Sequence, residues 1–219
     1  NDMDVVIGYA EEIQQLADGD VEALARTVSQ QGTSLLETIE KERDIVDVLV
    51  DGIDREVVDA TAAVDEAVAT VRERYPDAEV VSETPDDATV VASTDRLMEV
   101  FLELLDNAVY HSDRERPEVS VSVETGDRVV RVRVADDGPG IPDHEVDVLT
   151  RGRDIAPLYH GSGLGLWLVN WIVRRSGGSL SFRRRDPRGS VVTVELGRPR
   201  DDADLDRPLS ARDPTTEEF

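Results

Sequence analysis

The spacing of apolar residues changes near Gly52, and this change limits the possible folds more than any other feature. Before Gly52, apolar residues recur every three or four positions, which is the spacing of a coiled-coil seam. Two helices are expected, separated at Asp18-Gly19-Asp20, where Gly19 suits a helix end and Asp20 the N-cap of the next helix. The seam comprises Met3, Val6, Ala10, Ile13 and Ala17, then Val21, Leu24, Val28, Leu35, Ile39, Val46, Leu49 and Ile53, with polar Gln31 and Glu42 at two positions.

Two antiparallel helices joined by a short turn cannot bury two apolar stripes completely by themselves. Pairing with a second copy into a four-helix bundle would bury both stripes. The alternative is a helical hairpin, residues 1–54, that packs on the globular domain of its own chain.

The remainder of the chain predicts an α+β domain over residues 55–198 with a mixed sheet. Alternating valines predict a hairpin of strands at 118–124 and 128–135. The segment from 143 to 160 lacks periodicity and is expected to be a loop, and the tail 199–219 is expected to be disordered. Three further helices are predicted: over 60–74, from 95 to 111 with Asp95 as its N-cap, and over 163–175. Further strands are predicted over 78–82, 88–92, 179–185 and 190–196.

Charge and composition narrow the classes of partner. The formal net charge of -24 argues against nucleic acids and anionic membranes, because both are polyanions. Of the 24 basic residues only Lys41 is a lysine, which indicates adaptation to a cytoplasm of multimolar salt or, alternatively, a GC-rich genome. There is no cysteine, no apolar run of membrane-spanning length and no signal pattern, so a cytoplasmic chain is expected. Because it begins at Asn1, we expect a fragment whose upstream region is the only part that would reach a membrane.

Glu103 and Asn107 form the first candidate site, since residues four apart lie on one face of a helix. An amide oxygen beside a carboxylate suits a hard cation that keeps most of its waters, such as the magnesium of a nucleotide. The alternative is an ordinary solvated face.

Asp136-Asp137-Gly138-Pro139-Gly140-Ile141-Pro142 is the second candidate and directly follows a predicted strand. Gly138 and Gly140 let the backbone approach a flat ligand closely, and Asp136 can accept from an exocyclic amine. An ordinary acidic turn is the competing interpretation.

The third candidate is Gly161-Ser162-Gly163-Leu164-Gly165-Leu166, where a loop meets a predicted helix. Exposed backbone N–H groups and the positive end of the helix dipole favour phosphate there. No Gly-Lys-Ser/Thr follows, as a Walker loop requires, and no strand precedes it, as a Rossmann site requires.

Taken together, these segments resemble the N, G1 and G2 boxes of the Bergerat-type ATPases, which include gyrase, heat-shock chaperones, mismatch-repair ATPases and histidine kinases. The match covers residues 56–197 or so, and the preceding hairpin resembles the dimerisation and phosphotransfer domain of the kinases. The stretch from Asn1 to Glu11 also resembles kinases of halophilic archaea. The resemblance implies ATP, Mg²⁺, a homodimer and a response-regulator receiver domain as cofactors and partners.

By position, the resemblance implies a role for each motif residue. Asn107 would ligate magnesium, Asp136 would bind the adenine amine, and Gly138 and Gly140 would shape the base pocket. Gly161, Ser162, Gly163, Leu164 and Gly165 would bind phosphates. The segment 143–160 would be the ATP lid, in which Arg151 and Arg153 would offer charge to the γ-phosphate or serve only solubility.

Three departures from the kinase pattern stand out. Glu103 replaces the usual asparagine and resembles the water-activating carboxylate of the gyrase-like branch, so it is a candidate general base. Tyr110 and His111 replace Lys-Tyr, and His111 would either face the base or be structural. None of the histidines, His111, His144 and His160, lies on the first helix. The acceptor would sit about four residues before Asn1, so this chain is not expected to autophosphorylate at the usual site, and Asn1 would match a residue that positions water for the phosphatase reaction.

Two other functions stay open from the sequence. One is an ATP hydrolase of the gyrase or chaperone type that uses Glu103 as its base. The other is a non-catalytic dimeric scaffold with a degenerate pocket.

Overall fold

A computed structural model describes residues 2–19, 21–29, 32–33, 55–151 and 164–199. The chain divides into two units, Asn1–Asp51 and Gly52–Phe219. In the first unit, helix α1 spans Asp2–Leu16 and residues 21–29 are again helical. Gly19 lies between them with φ of 68°, so the predicted helix break is confirmed. Ala10 and Ala25 are buried, whereas the exposed seam residues, at 47% to 66%, are Val6, Ile13, Val21, Leu24 and Val28.

The hairpin and the four-helix bundle stay predictions, because the seam positions from Leu35 to Ile53 fall outside the described residues. Within the described ranges, no helix combines the length and apolarity needed to cross a bilayer.

The second unit contains a five-stranded mixed sheet in the order β2-β4-β5-β7-β6, and a two-stranded antiparallel sheet formed by β1 and β3. Strand β2 runs parallel to β4, and the other neighbours are antiparallel. The strands are β1 Glu56–Asp59, β2 Glu79–Glu83, β3 Thr89–Ala92, β4 Glu118–Thr125, β5 Val129–Asp136, β6 Ser179–Arg184 and β7 Ser190–Gly197.

The helices of this unit supply the other layer of an α/β sandwich. They are α2 Ala60–Arg74, α3 Thr94–Tyr110, α4 Asp143–Arg151 and α5 Leu164–Arg175. Helix α3 packs against α2, α5 and β5, and its Phe101 is 1% exposed. Valines on alternate positions of the strands meet this layer, as Val132 does beside Val194 across the β5–β7 pair. The opposite face of the sheet is polar and carries the 2.5 Å ion pair between Arg131 and Glu195.

The predicted α+β class with a mixed sheet is therefore confirmed, and most predicted elements lie within two residues of the observed ones. The strands predicted at 78–82 and 88–92 are observed as β2 and β3, and they belong to different sheets. Strand β2 pairs with β4, and β3 pairs with β1. Strand β1 was not predicted, because four residues carry too little alternation to be recognised.

Two local predictions were wrong. Asp95 does not cap α3: Ser93 is the N-cap, and Asp95 lies in the first turn, where a carboxylate still favours the helix dipole. The start of the segment 143–160 is helix α4 rather than loop. Two amides of its first turn, those of Glu145 and Val146, donate to the Pro142 carbonyl, and Leu149 is 2% exposed, so capping and a buried apolar contact stabilise this helix.

Candidate functional site

A cavity of about 230 Å³ opens between α3, the loop after β5 and the start of α5. It contains five residues predicted from the motifs: Asn107, His111, Asp136, Gly138 and Gly140. The remaining lining is largely apolar, as in most small-molecule sites, and consists of Leu104, Ala108, Val134, Pro139, Ile141, Pro142, Glu145, Leu166, Ser190 and Val192.

Asn107 lies on α3 one turn after Glu103, and the two side chains touch as their spacing predicts. The Asn107 Nδ2 donates to the Glu103 main-chain oxygen at 2.8 Å and to Glu103 Oε1 at 3.0 Å. Both donations use the nitrogen. The Asn107 Oδ1 is therefore the atom of this amide that can ligate a cation or accept a hydrogen bond.

Glu103 also connects α3 to the start of α5. A Cβ atom built on Gly165 would lie 1.7 Å from Glu103 Oε1 and 2.5 Å from its Cδ, so any side chain at this position would displace the Glu103 carboxylate. Glycine at 165 thus lets the first turn of α5, whose leading N–H groups have no partner within the helix, approach the Glu103–Asn107 pair. Such a helix start is a favourable place for phosphate.

Asp136 ends β5 and is held by backbone donors. The Gly138 N–H donates to Asp136 Oδ1 at 2.9 Å, and the Ser190 N–H lies 3.2 Å from both carboxylate oxygens. Burial raises the pKa of Asp136, the two backbone hydrogen bonds oppose this shift, and nearby Asp137 adds to it. A fixed, partly buried carboxylate can select a ligand that carries an N–H donor.

The loop after Asp136 forms the wall opposite α3. Gly138 is buried, and a Cβ atom there would lie 3.1 Å from Asp136 Oδ1. Gly140 has φ of +89°, a conformation that favours glycine. The Ile141 N–H donates to Ser190 Oγ at 2.9 Å, which anchors the far end of the loop.

Comparison with known proteins agrees with this geometry. Residues 92–200 match the family described as "Histidine kinase-, DNA gyrase B-, and HSP90-like ATPase". The chain is 32% identical over 127 residues to the sensor histidine kinase component HK1 of Mycobacterium tuberculosis, which covers 56% of this chain and 73% of HK1. The chain belongs to the sensor histidine kinase family.

Two further relatives of this chain support the assignment. It is 42% identical over 101 residues to the sensor protein kinase CarS of Pseudomonas aeruginosa, across 46% of this chain and 22% of CarS. The solved structure of the mycobacterial sensor histidine kinase MprB matches with a TM-score of 0.56 and 32% identity, over 66% of this chain and 99% of that one. The chain therefore spans only about a fifth of the length of CarS.

The structure describes some of the predicted site residues and not others. Arg151 ends α4, and Leu164 begins α5. Arg153, Gly161, Ser162 and Gly163 lie outside the described residues, as does the second half of the predicted lid, 152–160. Tyr110 is 69% exposed and lies edge-on to His111, with ring centroids 5.2 Å apart, whereas His111 lines the cavity.

Sequence reasoning missed the contribution of the turn between β6 and β7. Ser190 lines the cavity and binds both Asp136 and Ile141. Arg185 Nη1 donates to the Asp136 main-chain oxygen at 3.0 Å, and Arg188 Nε donates to the Gly138 oxygen at 2.9 Å. The only signal in the sequence is the short connection between the predicted strands 179–185 and 190–196, which does not indicate what the connection touches.

Proposed function

We propose that this chain is the ATP-binding core of a two-component sensor histidine kinase, and that Mg-ATP binds in the cavity between α3 and the loop after β5. One observation carries the proposal: Asn107 and Asp136, 29 positions apart in sequence, line the same cavity. One group suits a cation and the other suits an amine, as a nucleotide requires at its two ends.

The residues present fit an adenine base. In its ionised form the Asp136 carboxylate accepts a hydrogen bond from the exocyclic amine of adenine. Apolar side chains of Leu104, Val134 and Ile141 provide a lining suited to the faces of a flat ring. His111 at the rim contacts the base or the ribose.

The triphosphate is assigned to the start of α5. Asn107 Oδ1 ligates magnesium, which neutralises phosphate charge when it is bound. Gly161, Ser162, Gly163, Leu164 and Gly165 offer backbone donors to the phosphates, and Arg151 and Arg153 of the lid 143–160 contact the γ-phosphate. Glu103, 3.0 Å from the Asn107 amide, orients the attacking nucleophile as a general base.

In the intact enzyme, the γ-phosphoryl group passes to a histidine and then to an aspartate of a response-regulator receiver domain. Positioning and charge neutralisation supply most of the rate enhancement in such transfers. The N-terminal helices form the dimer. Because ATP and receiver domains are both cytoplasmic, the site faces the cytoplasm. The surplus of carboxylates and the near absence of lysine adapt the chain to high salt.

The position of Glu103 also favours a second candidate function, ATP hydrolysis by the gyrase-like mechanism. A carboxylate fixed beside Asn107 and against Gly165 is placed where a water-activating base would act. The two functions differ in product. The kinase gives phosphohistidine, which is acid-labile and alkali-stable, whereas the hydrolase gives free phosphate alone.

Calorimetry with ADP and Mg²⁺ tests the site itself. We expect saturable binding to the wild-type chain and at least a tenfold weaker affinity for Asn107→Ala in the presence of Mg²⁺, with adenosine affinity less affected. Full-length protein incubated with radiolabelled ATP then tests the reaction. Absence of ADP binding would leave the non-catalytic scaffold, and phosphate release without phosphohistidine would favour the hydrolase.

A further inference from the structure

The turn between β6 and β7 forms hydrogen bonds to the loop after β5. The Asp136 main-chain oxygen accepts from Arg185, and the Gly138 oxygen accepts from Arg188. Ser190 contributes an N–H to the Asp136 carboxylate and an oxygen to the Ile141 N–H. These contacts join segments that are about 50 positions apart, with sequence separations of 49 to 54.

The turn lies directly on the backbone of Asp136. Gly189 has φ of +105°, and a Cβ atom at this position would lie 2.0 Å from the Asp136 main-chain oxygen. The same turn also touches the loop further along, since a Cβ atom on Gly140 would lie 3.5 Å from the Gly189 oxygen. The backbone of the turn therefore has little freedom to shift relative to this wall of the cavity.

Arg188 contacts the loop after β5 and the segment after α3 at once. Its Nε donates to the Gly138 oxygen at 2.9 Å, while its Nη2 forms an ion pair with Asp113. Asp113 follows His111 by two residues, and the backbone of His111 and Ser112 lies within 3.8 Å of a Cβ atom built on Gly138. One guanidinium thus connects the segment after α3 with the loop after β5.

The chemistry of arginine suits this connection better than that of lysine. A guanidinium is a rigid plane whose donors point in fixed, separate directions, so Nε and Nη2 can serve two acceptors at a set distance. An ammonium group is a point charge on a flexible chain and cannot fix that distance. The Arg188 side chain is 36% exposed and the Asp113 side chain 55% exposed, so the pair contributes little to overall stability and can be altered without unfolding the domain.

We propose that Arg188 is a positioning residue that sets the separation between the His111 and Gly138 walls and thereby the preference of the cavity for adenine over guanine. The inference rests on the proposed nucleotide function and extends it to a residue outside the cavity. Asp136 distinguishes the two bases because adenine presents an amine where guanine presents a carbonyl. This discrimination depends on the separation between the two walls, because a narrower cavity holds the base more firmly against the Asp136 carboxylate.

The experiment compares Arg188→Ala, Arg188→Lys and Asp113→Asn with the wild-type chain, and uses Arg184→Ala as the matched control. Arg184 also forms an exposed ion pair, with Asp143 at 3.0 Å, but makes no hydrogen bond to the loop after β5 within the part of the chain that the structure describes. Dissociation constants for ADP and GDP, each with Mg²⁺, are measured by calorimetry, and melting temperatures are recorded in parallel.

We expect Arg188→Ala to weaken ADP binding about tenfold while GDP binding changes less, so that the ratio of the two constants falls. Arg188→Lys should restore only part of the ratio, and Asp113→Asn, which leaves the bond to Gly138, should lower it about threefold. Arg184→Ala should keep the wild-type ratio.

Different results overturn different claims. If the ratio stays within twofold of wild type in Arg188→Ala, or falls equally in Arg184→Ala, the positioning role is wrong while the proposed function stands. A parallel loss of ADP and GDP affinity would likewise mean a structural role only. If the wild-type chain binds neither nucleotide, the proposed function and this inference both fail.

Discussion

Asp136 is subject to two opposing requirements at the scale of a single residue. To accept a hydrogen bond from an adenine amine, the carboxylate must be ionised. Burial, however, raises its pKa above the ordinary value of 3.8. The bonds from Gly138 and Ser190 favour the ionised form and limit the rise. The residue therefore combines a useful acceptor with an energetic cost in the empty domain.

This conflict predicts opposite pH dependences for stability and binding. Because the folded-state pKa is raised, the Asp136 contribution to stability is fully present at low pH and is lost as pH rises through that pKa. ADP affinity should instead fall as pH decreases through the same pKa, starting at a higher pH than an ordinary aspartate would give.

The measurement is ADP affinity from pH 8 down to the acid limit of folding, for wild type and Asp136→Asn. Titration of the nucleotide affects both proteins equally, so the difference isolates the carboxylate. The variant should bind about tenfold more weakly at neutral pH, without a lower melting temperature. Wild-type affinity parallel to that of the variant across the whole range would contradict the assigned role.

Residue contacts also explain what the sequence could indicate and what it could not. Asn107 and Asp136 were recognised because each sits in a local motif whose residue types suit one end of a nucleotide. Arg188 and Ser190 were not recognised, since their partners are 50 and 54 positions away. The close approach of Gly165 to the Glu103 carboxylate likewise arises only in the folded chain.

At the scale of elements, the amphipathic helices and alternating strands were predicted because burial on one face imposes a period on the sequence. Helix α4 was missed because its nine residues, Asp143–Arg151, are fewer than the stretch over which a helical period can be recognised. The Asn170 side chain on α5 is 8% exposed and donates from Nδ2 to the Leu149 main-chain oxygen at 3.0 Å. This bond attaches the C-terminal half of α4 to α5, while Glu145 in its first turn lines the cavity.

Replacing Asn170 should therefore loosen α4 more than the rest of the domain. Asn170→Leu leaves the Leu149 carbonyl without this donor, and a buried unpaired acceptor costs about 1–3 kcal/mol. We expect amide hydrogen exchange in α4 to accelerate while exchange in β5 changes little. The control is Ser176→Ala, at a residue that is 5% exposed and whose hydroxyl donates to the Ile172 main-chain oxygen rather than to α4 within the described residues. Equal exchange of α4 in both variants would show that Asn170 does not hold this helix.

At the scale of the whole molecule, the N-terminal seam predicts a dimer. Leu24 and Val28 expose 66% and 47% of their surface in the single chain. Burying such side chains against a partner contributes about 1.5–3 kcal/mol each, so the double change Leu24→Glu with Val28→Glu should convert the dimer into monomer. Light scattering after size exclusion measures the mass. The matched control, Ala23→Glu with Thr27→Glu, adds the same charge at exposed positions off the seam and should stay dimeric. A monomeric wild type would disprove the dimer.

The net charge of -24 makes the final prediction a property of the entire surface. The Debye length falls from about 10 Å at 0.1 M salt to about 3 Å at 1 M, so carboxylates that repel one another across the surface are screened in this range. If the composition reflects salt adaptation, the melting temperature should rise steeply up to about 1 M KCl and then flatten, because the repulsion is by then largely screened. A variant with Glu66→Gln, Glu73→Gln and Asp77→Asn removes three exposed negative charges and should gain less from added salt. A melting temperature independent of KCl would instead favour the GC-rich genome as the cause of the composition, and the site chemistry would be unaffected.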